Sequence, residues 1–467
     1  MLPKLLHVKD HEGKPVDPGV TTDLYKKTLS IAWPSTVEGA LMSIIGSVDT
    51  MMVGTLGAAS IAAVGLTGQP RMIMLILAQA LCIGTTALCA RRKGAHDQQG
   101  ANNCLNQSLA IITVIGIFMT LTGYFGAGWL MKLGGANEDT LDLSITYFRV
   151  ISLAFLPSCW QLCICAAMRA IGKTRVTMVT NVTANLVNVI LNYILINGKL
   201  GFPALGVKGA AIATACGTIT GSLICICTVL RKGGYYHLAL PRFDRTTVSG
   251  LGKVGSSSMI EAVCLRAGFL MLARLIAGIG TNAFAAYQIV SQVTSLSFTL
   301  GDGVATAGTS LVGQSLGAKR KDRAMAHSQV AYRIGIMVSA GLMLVIFLFR
   351  RQLALLFTAD EEIIRGVTAS LYVVILSMPF QNGRVILSGT LRGAGDVKFV
   401  AYCALLSVAI LRPALTWLFC YPLADVLPIP HMAVMAPWIA FLIDAIVRDR
   451  LLAWRVNQAK WLEIRLG

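Results

Sequence analysis

The chain has 467 residues, of which 55% are hydrophobic and 13% charged, and its mean hydropathy is +0.68. A soluble core cannot absorb so large an apolar fraction, so the composition excludes an ordinary globular protein and indicates a membrane protein. The formal net charge of +18 comes from Lys and Arg in the connections between apolar runs. We interpret it as a sign of membrane topology and expect no nucleic-acid partner.

The apolar runs predict twelve transmembrane helices, because each is about 20 residues long, enough to cross a bilayer. The predicted all-α polytopic fold has helices at 28–53, 70–90, 106–131, 146–168, 177–197, 206–230, 252–277, 286–312, 329–349, 366–390, 399–423 and 432–453.

The two halves of the chain repeat one another at a constant spacing of 223 residues. Glu38 matches Glu261, and Arg169 matches Arg392, without a gap. Six helices per half bring the second repeat into the membrane from the same side as the first, so the repeats are parallel. A duplicated unit of this kind is typical of membrane transporters, and we predict a 6+6 bundle.

The predicted organisation follows from the apolar runs and the positions of the charges. Lys and Arg concentrate in one set of loops, which predicts a multi-pass protein of the inner (plasma) membrane with both termini cytoplasmic. The polar first 25 residues predict that no signal peptide is cleaved. The five predicted segments are a cytoplasmic N-terminal segment at 1–26, an N-lobe with helices 1–6 at 27–230, an inter-lobe linker at 231–246, a C-lobe with helices 7–12 at 247–454, and a cytoplasmic tail at 455–467.

The sequence contains no recognisable motif for catalysis or for binding a metal or a cofactor. The twelve Cys have no zinc-site spacing and the six His form no ligand cluster, which predicts no metal centre. Nucleotide-binding loops and nucleophile motifs are also lacking, so we expect neither an enzyme nor a cofactor. An intramembrane enzyme would need a converging acid, His or Cys constellation, and a channel would need a repeated filter-like loop. Energy for transport must then come from an ion gradient or passive flow.

Ionisable residues at membrane depth are the main candidates for function, since a bare charge there is costly. In helix 1, Glu38 and Asp49 lie eleven residues apart, or three turns, and share roughly one face. Asp49 is the stronger candidate. Pro34 lacks an N–H and predicts a bend or a freed carbonyl in the same helix.

Several sequence fragments, in order along both repeats, resemble one family. They are Ala32-Trp33-Pro34, the run from Val48 to Gly54, Asn188 and Asn192, the run from Gly206 to Ala211, Glu261, the run from Leu311 to Ala318, the run from Phe357 to Asp360, and Leu391-Arg392-Gly393. The chain resembles the multidrug and toxic compound extrusion (MATE) family of twelve-helix efflux transporters. It is closest in motif to the NorM-type and DinF-type bacterial branches.

The resemblance implies a cation or proton site in the N-lobe at Asp49, Asn188 and Asn192, and a second coupling acid at Glu261. Sodium could bind at Asp49 or Glu261. The NorM-type branch also carries an acid in helix 10, where this chain has Gln381 or Asn382, which weakens the sodium interpretation. Glu38 is either a further coupling acid or a residue near the cytoplasmic end of helix 1 that reaches water or a loop Lys.

The C-lobe has its own charges at membrane depth, namely Arg266, Asp302, Arg384, Arg412 and Asp444. Asp302 is a further candidate for cation or proton coupling. The candidates for the substrate cavity are Arg266, Arg384, Gln381 and Asn382. Two alternatives are open. Either Glu261 and Asp302 neutralise Arg266 and Arg384 in a structural network, or an arginine faces the cavity and favours anionic or zwitterionic substrates. The aromatic residues that could stack on a substrate are Trp160, Tyr287, Phe298 and Phe380.

The expected function is export of small organic molecules by proton- or sodium-coupled antiport, with alternating access between the two lobes. The alternative is a flippase for lipid-linked precursors or polysaccharides from the same superfamily, whose cleft arginines would contact phosphates. The expected partners are a small-molecule substrate and the lipid bilayer, and the expected state is a monomer.

Overall fold

The computed structural model describes residues 8, 10, 12–54, 56–135, 137–231, 233–278, 281–358, 360–422 and 432–464. Within these ranges the chain is almost entirely helical and contains no extended strand. The predicted all-α fold is confirmed.

The first half of the chain forms eight helices. They are α1 (Pro18–Gly54), α2 (Ala58–Gly94), α3 (Gln98–Phe125), α4 (Ala127–Leu133), α5 (Glu138–Ser152), α6 (Phe155–Ala170), α7 (Thr174–Asn197) and α8 (Gly206–Leu230).

The second half forms seven α-helices. They are α9 (Arg245–Ala277), α10 (Thr281–Gly317), α11 (Lys321–Leu355), α12 (Glu361–Ala394), α13 (Val397–Ala404), α14 (Arg412–Cys420) and α15 (Met432–Asn457). A π-helical segment, Leu405–Leu411, joins α13 to α14, and a 3-10 turn at Lys460–Glu463 follows α15.

These elements make up twelve membrane spans. Among the described residues, eight helical segments are long and apolar enough to cross a bilayer, and the α5–α6 pair adds a ninth. The other three are α9, α10 and α15, which occupy the positions predicted for helices 7, 8 and 12.

The predicted helix at 146–168 is wrong in one respect, because the structure breaks it into α5 and α6. The two helices meet at an angle of 50°. Pro157 lies in the first turn of α6, where a residue without an N–H is tolerated because that donor has no partner within the helix. The proline therefore marks the start of a new helix.

The predicted helix at 399–423 is also irregular, since the π-helical segment interrupts it. Pro413 follows this segment directly and cannot donate to the carbonyl four residues earlier. A widened turn accommodates the lost hydrogen bond. At this point α9 comes close to the π-helical segment, since a Cβ on Gly268 would lie 2.5 Å from the carbonyl oxygen of Val408.

The repeat seen in the sequence is also present in the backbone. Helices α2 and α10 begin and end 223 residues apart. Gly172 and Gly395 follow the sixth and twelfth α-helices with φ of 82° and 88°, a left-handed conformation that favours glycine. The turns after α2 and α10 also match, with φ of 59° at His96 and 58° at Lys319.

Interhelical hydrogen bonds repeat with the same spacing. The Thr86 hydroxyl donates to the Ala166 carbonyl at 3.3 Å, and the equivalent Thr309 hydroxyl donates to the Gly389 carbonyl at 2.8 Å. The two halves therefore share helix packing as well as sequence.

The described residues divide into two compact units, which we call the N-unit and the C-unit. The N-unit comprises Val37–Ser256, and the C-unit comprises the residues up to Thr36 and those from Ser257 onward. The divisions fall inside α1 and α9. The boundaries predicted for the five sequence segments, at 26, 230, 246 and 454, stay a prediction.

Each unit has its own apolar core. The N-unit core contains large, fully buried side chains such as Leu105, Phe148 and Phe155. The C-unit core around α12 and α15 includes Leu371 and Met378. These cores hold the helices that carry the polar residues described below.

Amide side chains of α3 bind the backbone of the linker before α9. Asn103 Nδ2 donates to the Arg242 carbonyl at 2.9 Å, and its Oδ1 accepts from the Arg242 N–H at 3.1 Å. Asn102, Asn106 and Gln107 make further bonds of this kind to the backbone at 235–242. The linker is thereby fixed against the end of α3.

Asp244 begins α9 by accepting hydrogen bonds from Thr246 and Thr247. The Thr246 side chain is the main reason that the pKa of this exposed carboxyl is below its usual range. The helix start is thus stabilised by an N-terminal acid.

Candidate functional site

A polar cavity of about 280 Å³ lies within the N-unit, between α1, α2, α6, α7 and α8. Its polar and charged lining includes Asp49, Arg71, Gln161, Arg169, Asn181 and Asn188. Charged and amide groups around one cavity at membrane depth indicate a binding or ion pathway.

Asp49, Asn188 and Asn192 are brought together at one end of this cavity. The Asp49 carboxylate accepts a hydrogen bond from Asn192 Nδ2. Asn188, one turn earlier on α7, donates to Thr214 Oγ1 on α8 at 3.1 Å. The buried Asn192 Oδ1 has no hydrogen-bond partner among the described residues. A carboxylate and a free amide oxygen are therefore next to one another.

Glu38 lies at a second polar cluster beside the same cavity. Its carboxylate accepts from Asn181 Nδ2 at 2.5 Å and from Thr177 Oγ1 at 3.0 Å, and Arg169 Nη1 is 3.6 Å away. Glu38 is only 8% exposed. Its basic partner is thus the arginine at the end of α6, where the sequence suggested water or a loop Lys.

A polar stripe on α7 connects the two clusters. Its members recur at intervals of four, four, three and four residues: Thr177, Asn181, Asn185, Asn188 and Asn192. This spacing places them on one helix face. Gln161 Nε2 on α6 donates to Asn181 Oδ1 at 2.7 Å. Sequence reasoning used two members of the stripe, and its helical period could have identified the other three.

Arg71 is the cavity-lining charge that sequence reasoning missed. It follows Pro70 at the start of the predicted helix at 70–90, whereas α2 begins twelve residues earlier, at Ala58. Arg71 is therefore well inside a helix. No Lys or Arg nitrogen within the described ranges lies within 4 Å of the Asp49 carboxylate, so Asp49 has no ion-pair partner.

In the C-unit, Glu261 lies between two arginines. Its carboxylate accepts from Arg392 Nη2 at 2.7 Å and from Arg448 Nη2 at 3.2 Å. One of the two alternatives paired Glu261 and Asp302 with Arg266 and Arg384, and for Glu261 the partners are instead Arg392 and Arg448. Arg448 belongs to α15 and reaches Glu261 only through the packing of α15 on the unit, which local sequence does not reveal.

A second buried ion pair joins Arg412 on α14 to Asp444 on α15. Both side chains are almost fully buried, at 3% and 0% exposure, and Ser407 also donates to Asp444. The Arg412 guanidinium lies 4.8 Å from the centroid of the Phe441 ring. The pair is therefore part of the buried core of the C-unit.

The other C-unit candidates have varied surroundings. Arg266 is half-buried on α9, and Asp302 on α10 interacts electrostatically with Arg392. Asn382 Nδ2 donates to Ser339 Oγ at 2.7 Å, whereas Gln381 Nε2 is 3.5 Å from the Thr294 carbonyl. Both amides are buried where the NorM-type branch has an acid.

The aromatic candidates have diverse surroundings. Trp160 Nε1 donates to Thr113 at 2.9 Å, and Tyr287 stacks on Trp438 with ring centroids 5.2 Å apart. Phe298 is 47% exposed, and the Phe380 ring lies 5.6 Å from the Arg450 guanidinium. None of these four lines the N-unit cavity.

Twelve helices in two repeats, with a polar cavity at membrane depth, define a multi-pass membrane transporter. The MatE family model matches residues 34–194 and 258–418, one segment in each repeat. The chain belongs to this family, the MATE transporters.

Curated relatives and solved structures agree with this membership. The chain is 25% identical over 447 residues to the probable multidrug resistance protein NorM of Thermotoga maritima, covering 94% of this chain and 93% of that protein. It is 29% identical over 387 residues to the multidrug resistance protein PmpM of Pseudomonas aeruginosa, covering 80% and 79%. An outward-facing multidrug resistance MATE transporter of the MOP superfamily aligns with a TM-score of 0.85 and 23% identity, covering 94% and 97%.

Proposed function

We propose that this protein is a secondary active efflux transporter that exports small organic molecules by proton- or sodium-coupled antiport. Family membership and the relatives named for multidrug resistance support export of drugs or toxins. The substrate crosses the membrane unchanged, by alternating access between the two repeats. We further propose an inner-membrane location with both termini cytoplasmic, supported by the distribution of Lys and Arg in the loops.

One observation carries the coupling assignment, namely the Asp49 carboxylate that faces the N-unit cavity without an ion-pair partner. A carboxylate without a bound cation can take up a proton or a sodium ion. The free Asn192 Oδ1 supplies a further oxygen ligand for sodium, which prefers hard oxygen donors, or an acceptor for a protonated Asp49.

Glu261 is less suited to coupling. Arg392 and Arg448 already balance its charge, and arginine does not release its proton in proteins. A cation would have to compete with two guanidinium groups. We therefore assign coupling to Asp49 and a structural role to Glu261.

Coupling then requires that cation occupancy at Asp49 and substrate binding favour different states of the transporter. A ligand shifts such an equilibrium only through its differential affinity for the two states. Entry of a proton or sodium ion at Asp49 favours the state that releases substrate outside. Loss of the cation to the cytoplasm favours the state that binds substrate again.

The test uses purified protein in liposomes, with efflux of the cationic dye ethidium measured under an imposed proton or sodium gradient. Asp49→Asn should abolish the acceleration by the gradient while leaving exchange of dye across the membrane without a gradient. Glu261→Gln should keep the acceleration per folded molecule. Asp139→Asn, at an exposed position of α5, is the control for loss of an acid outside both clusters. Full acceleration in Asp49→Asn would refute the assignment.

A further inference from the structure

Arg384 is a buried cation of the C-unit with no acid bonded to it. It lies on α12 with 9% of its surface exposed, and its Nε atom is shielded from solvent without a hydrogen-bond partner. Across the part of the chain that the structure describes, no side chain or carbonyl accepts a hydrogen bond from its guanidinium. The guanidinium centre is 5.4 Å from the centroid of the Phe441 ring.

The acids nearest in the fold are occupied elsewhere. Asp444 binds Arg412 and Ser407, and Glu261 binds two other arginines. Asp449 faces the Tyr332 hydroxyl at 3.4 Å. Asp444 and Asp449 influence Arg384 electrostatically, but from beyond 4 Å. A buried guanidinium without a bonded anion is costly and indicates a ligand.

The internal repeat shows what this position does in the other half of the chain. Arg384 is equivalent to Gln161, which lines the N-unit cavity. Gln381 and Thr294, which approach each other in the C-unit, are equivalent to the cavity-lining Ser158 and Arg71. Arg384 and Gln381 thus occupy binding positions by internal symmetry.

The two repeats differ in charge at these positions, and the N-unit cavity also contains Arg71 and Arg169, whose C-unit equivalents are Thr294 and Arg392. The N-unit cavity has the acid Asp49, and the equivalent C-unit residue is Leu272. The N-unit has the neutral Gln161 where the C-unit has Arg384. The C-unit therefore has a fixed positive charge where the N-unit has a neutral amide, and it lacks an equivalent of the acid Asp49, so its site favours a negative group.

Gln381 adds a complementary group on the same face of α12. It lies three residues before Arg384, is 2% exposed, and its Oε1 has no partner in the described structure. Arg384 offers donors and Gln381 offers an acceptor. A carboxylate with a nearby N–H group would satisfy both.

We propose that Arg384 and Gln381 form a substrate subsite for the carboxylate of an organic zwitterion that also carries an N–H donor. The guanidinium binds the carboxylate oxygens and Gln381 Oε1 accepts from the N–H. This inference rests on the proposed export function and specifies its substrate class. It assigns the cation to Asp49 in the N-unit and the substrate anion to the C-unit.

The test compares two dyes that differ only at the carboxyl group. Rhodamine 110 has a free carboxylate and N–H donors, and rhodamine 123 is its methyl ester. Binding to the full-length protein in lipid nanodiscs is measured by fluorescence anisotropy without any gradient. The wild type should bind rhodamine 110 more tightly than rhodamine 123, because only the former offers an anion to Arg384.

Arg384→Gln introduces the residue type of the equivalent N-unit position, Gln161. It should weaken rhodamine 110 binding by at least about tenfold and change rhodamine 123 binding by less than about twofold. Arg384→Lys should show an intermediate loss, since it keeps the charge without the planar fork. Arg365→Gln, an exposed position on the same helix, is the control. Equal losses for both dyes, or no preference for rhodamine 110 in the wild type, would overturn the subsite.

The two proposals fail in different ways. If the carboxylate preference depends on Arg384 but no dye leaves liposomes faster under a gradient, the subsite stands and coupled export is rejected. If ethidium efflux is gradient-driven but the carboxylate preference is missing, coupled export stands and the subsite is rejected.

Discussion

Glu38 and Glu261 hold equivalent positions in the two repeats, and each faces the equivalent arginine, at 3.6 Å from Arg169 and 2.7 Å from Arg392. Their further partners differ. Glu38 receives neutral amide and hydroxyl donors, whereas Glu261 receives a second guanidinium from Arg448. Duplication has therefore conserved one ion pair and placed it in two different electrostatic surroundings.

We expect Glu261→Gln to destabilise the protein more than Glu38→Gln. Loss of the Glu261 charge leaves the almost fully buried Arg448 without a bonded acid and also removes the ion pair with Arg392, which should cost about 3 kcal/mol or more. Loss of the Glu38 charge leaves Arg169, whose side chain is 27% exposed and can reach water, so the cost should be about 1 kcal/mol. The midpoints of thermal unfolding in detergent give the order, and a lower midpoint for Glu38→Gln would contradict it.

The buried pair of Arg412 and Asp444 should show strong coupling between its members. Asp444→Leu alone leaves the Arg412 guanidinium buried without a partner, at an expected cost of about 3–5 kcal/mol. The double variant Arg412→Met with Asp444→Leu removes both charges and should be more stable than Asp444→Leu. A double-mutant cycle of unfolding free energies measures the coupling, and strict additivity would show that the pair does not interact.

Gly217 allows α8 to approach α7 beside the candidate coupling site. A Cβ added there would lie 2.6 Å from the Ala184 carbonyl oxygen and 2.9 Å from the Cβ of Asn188. Gly217→Ala should therefore push α7 away, displace Asn188, and cost about 1–3 kcal/mol of stability. Gradient-driven efflux should fall as well.

Gly252→Ala is the matched control for this variant, because a Cβ at that helical glycine meets no atom within 4 Å. It should transport normally and unfold at or slightly above the wild-type temperature, because alanine favours a helix over glycine. Wild-type efflux from Gly217→Ala would show that the position of Asn188 is unimportant for coupling.

Hydropathy and internal spacing sufficed to predict the twelve helices and the parallel repeat, because both depend on local composition and regular periodicity. The grouping of Asp49 with Asn188 and Asn192 was predictable from family resemblance and from the four-residue spacing on α7. Neither the break before Pro157 nor the π-helical segment before Pro413 was predicted, since both prolines lie in runs that stay apolar.

Partners of the buried charges were the least predictable feature. Glu261 and Arg448 are 187 residues apart, and only the packing of α15 brings them together. Arg71 was not predicted as a residue at membrane depth, because hydropathy placed the start of its helix twelve residues too late. Which of several arginines pairs with a given carboxylate depends on differences in distance of a few ångströms. Composition and helical period do not determine such distances.

The linker before α9 should loosen when its amide contacts are removed. Asn103 holds both backbone polar groups of Arg242, so Asn103→Ala removes two hydrogen bonds at one site. Each bond contributes about 1 kcal/mol, so the two together should raise local opening of the linker roughly thirtyfold. Limited trypsin digestion in detergent measures this as faster cleavage after Arg242.

Gln99→Ala, an exposed neighbour on α3, should leave the cleavage rate unchanged. Equal rates for Asn103→Ala and the wild type would mean that the remaining amides, led by the 2.6 Å bond from Gln107 to the Arg242 carbonyl, hold the linker on their own.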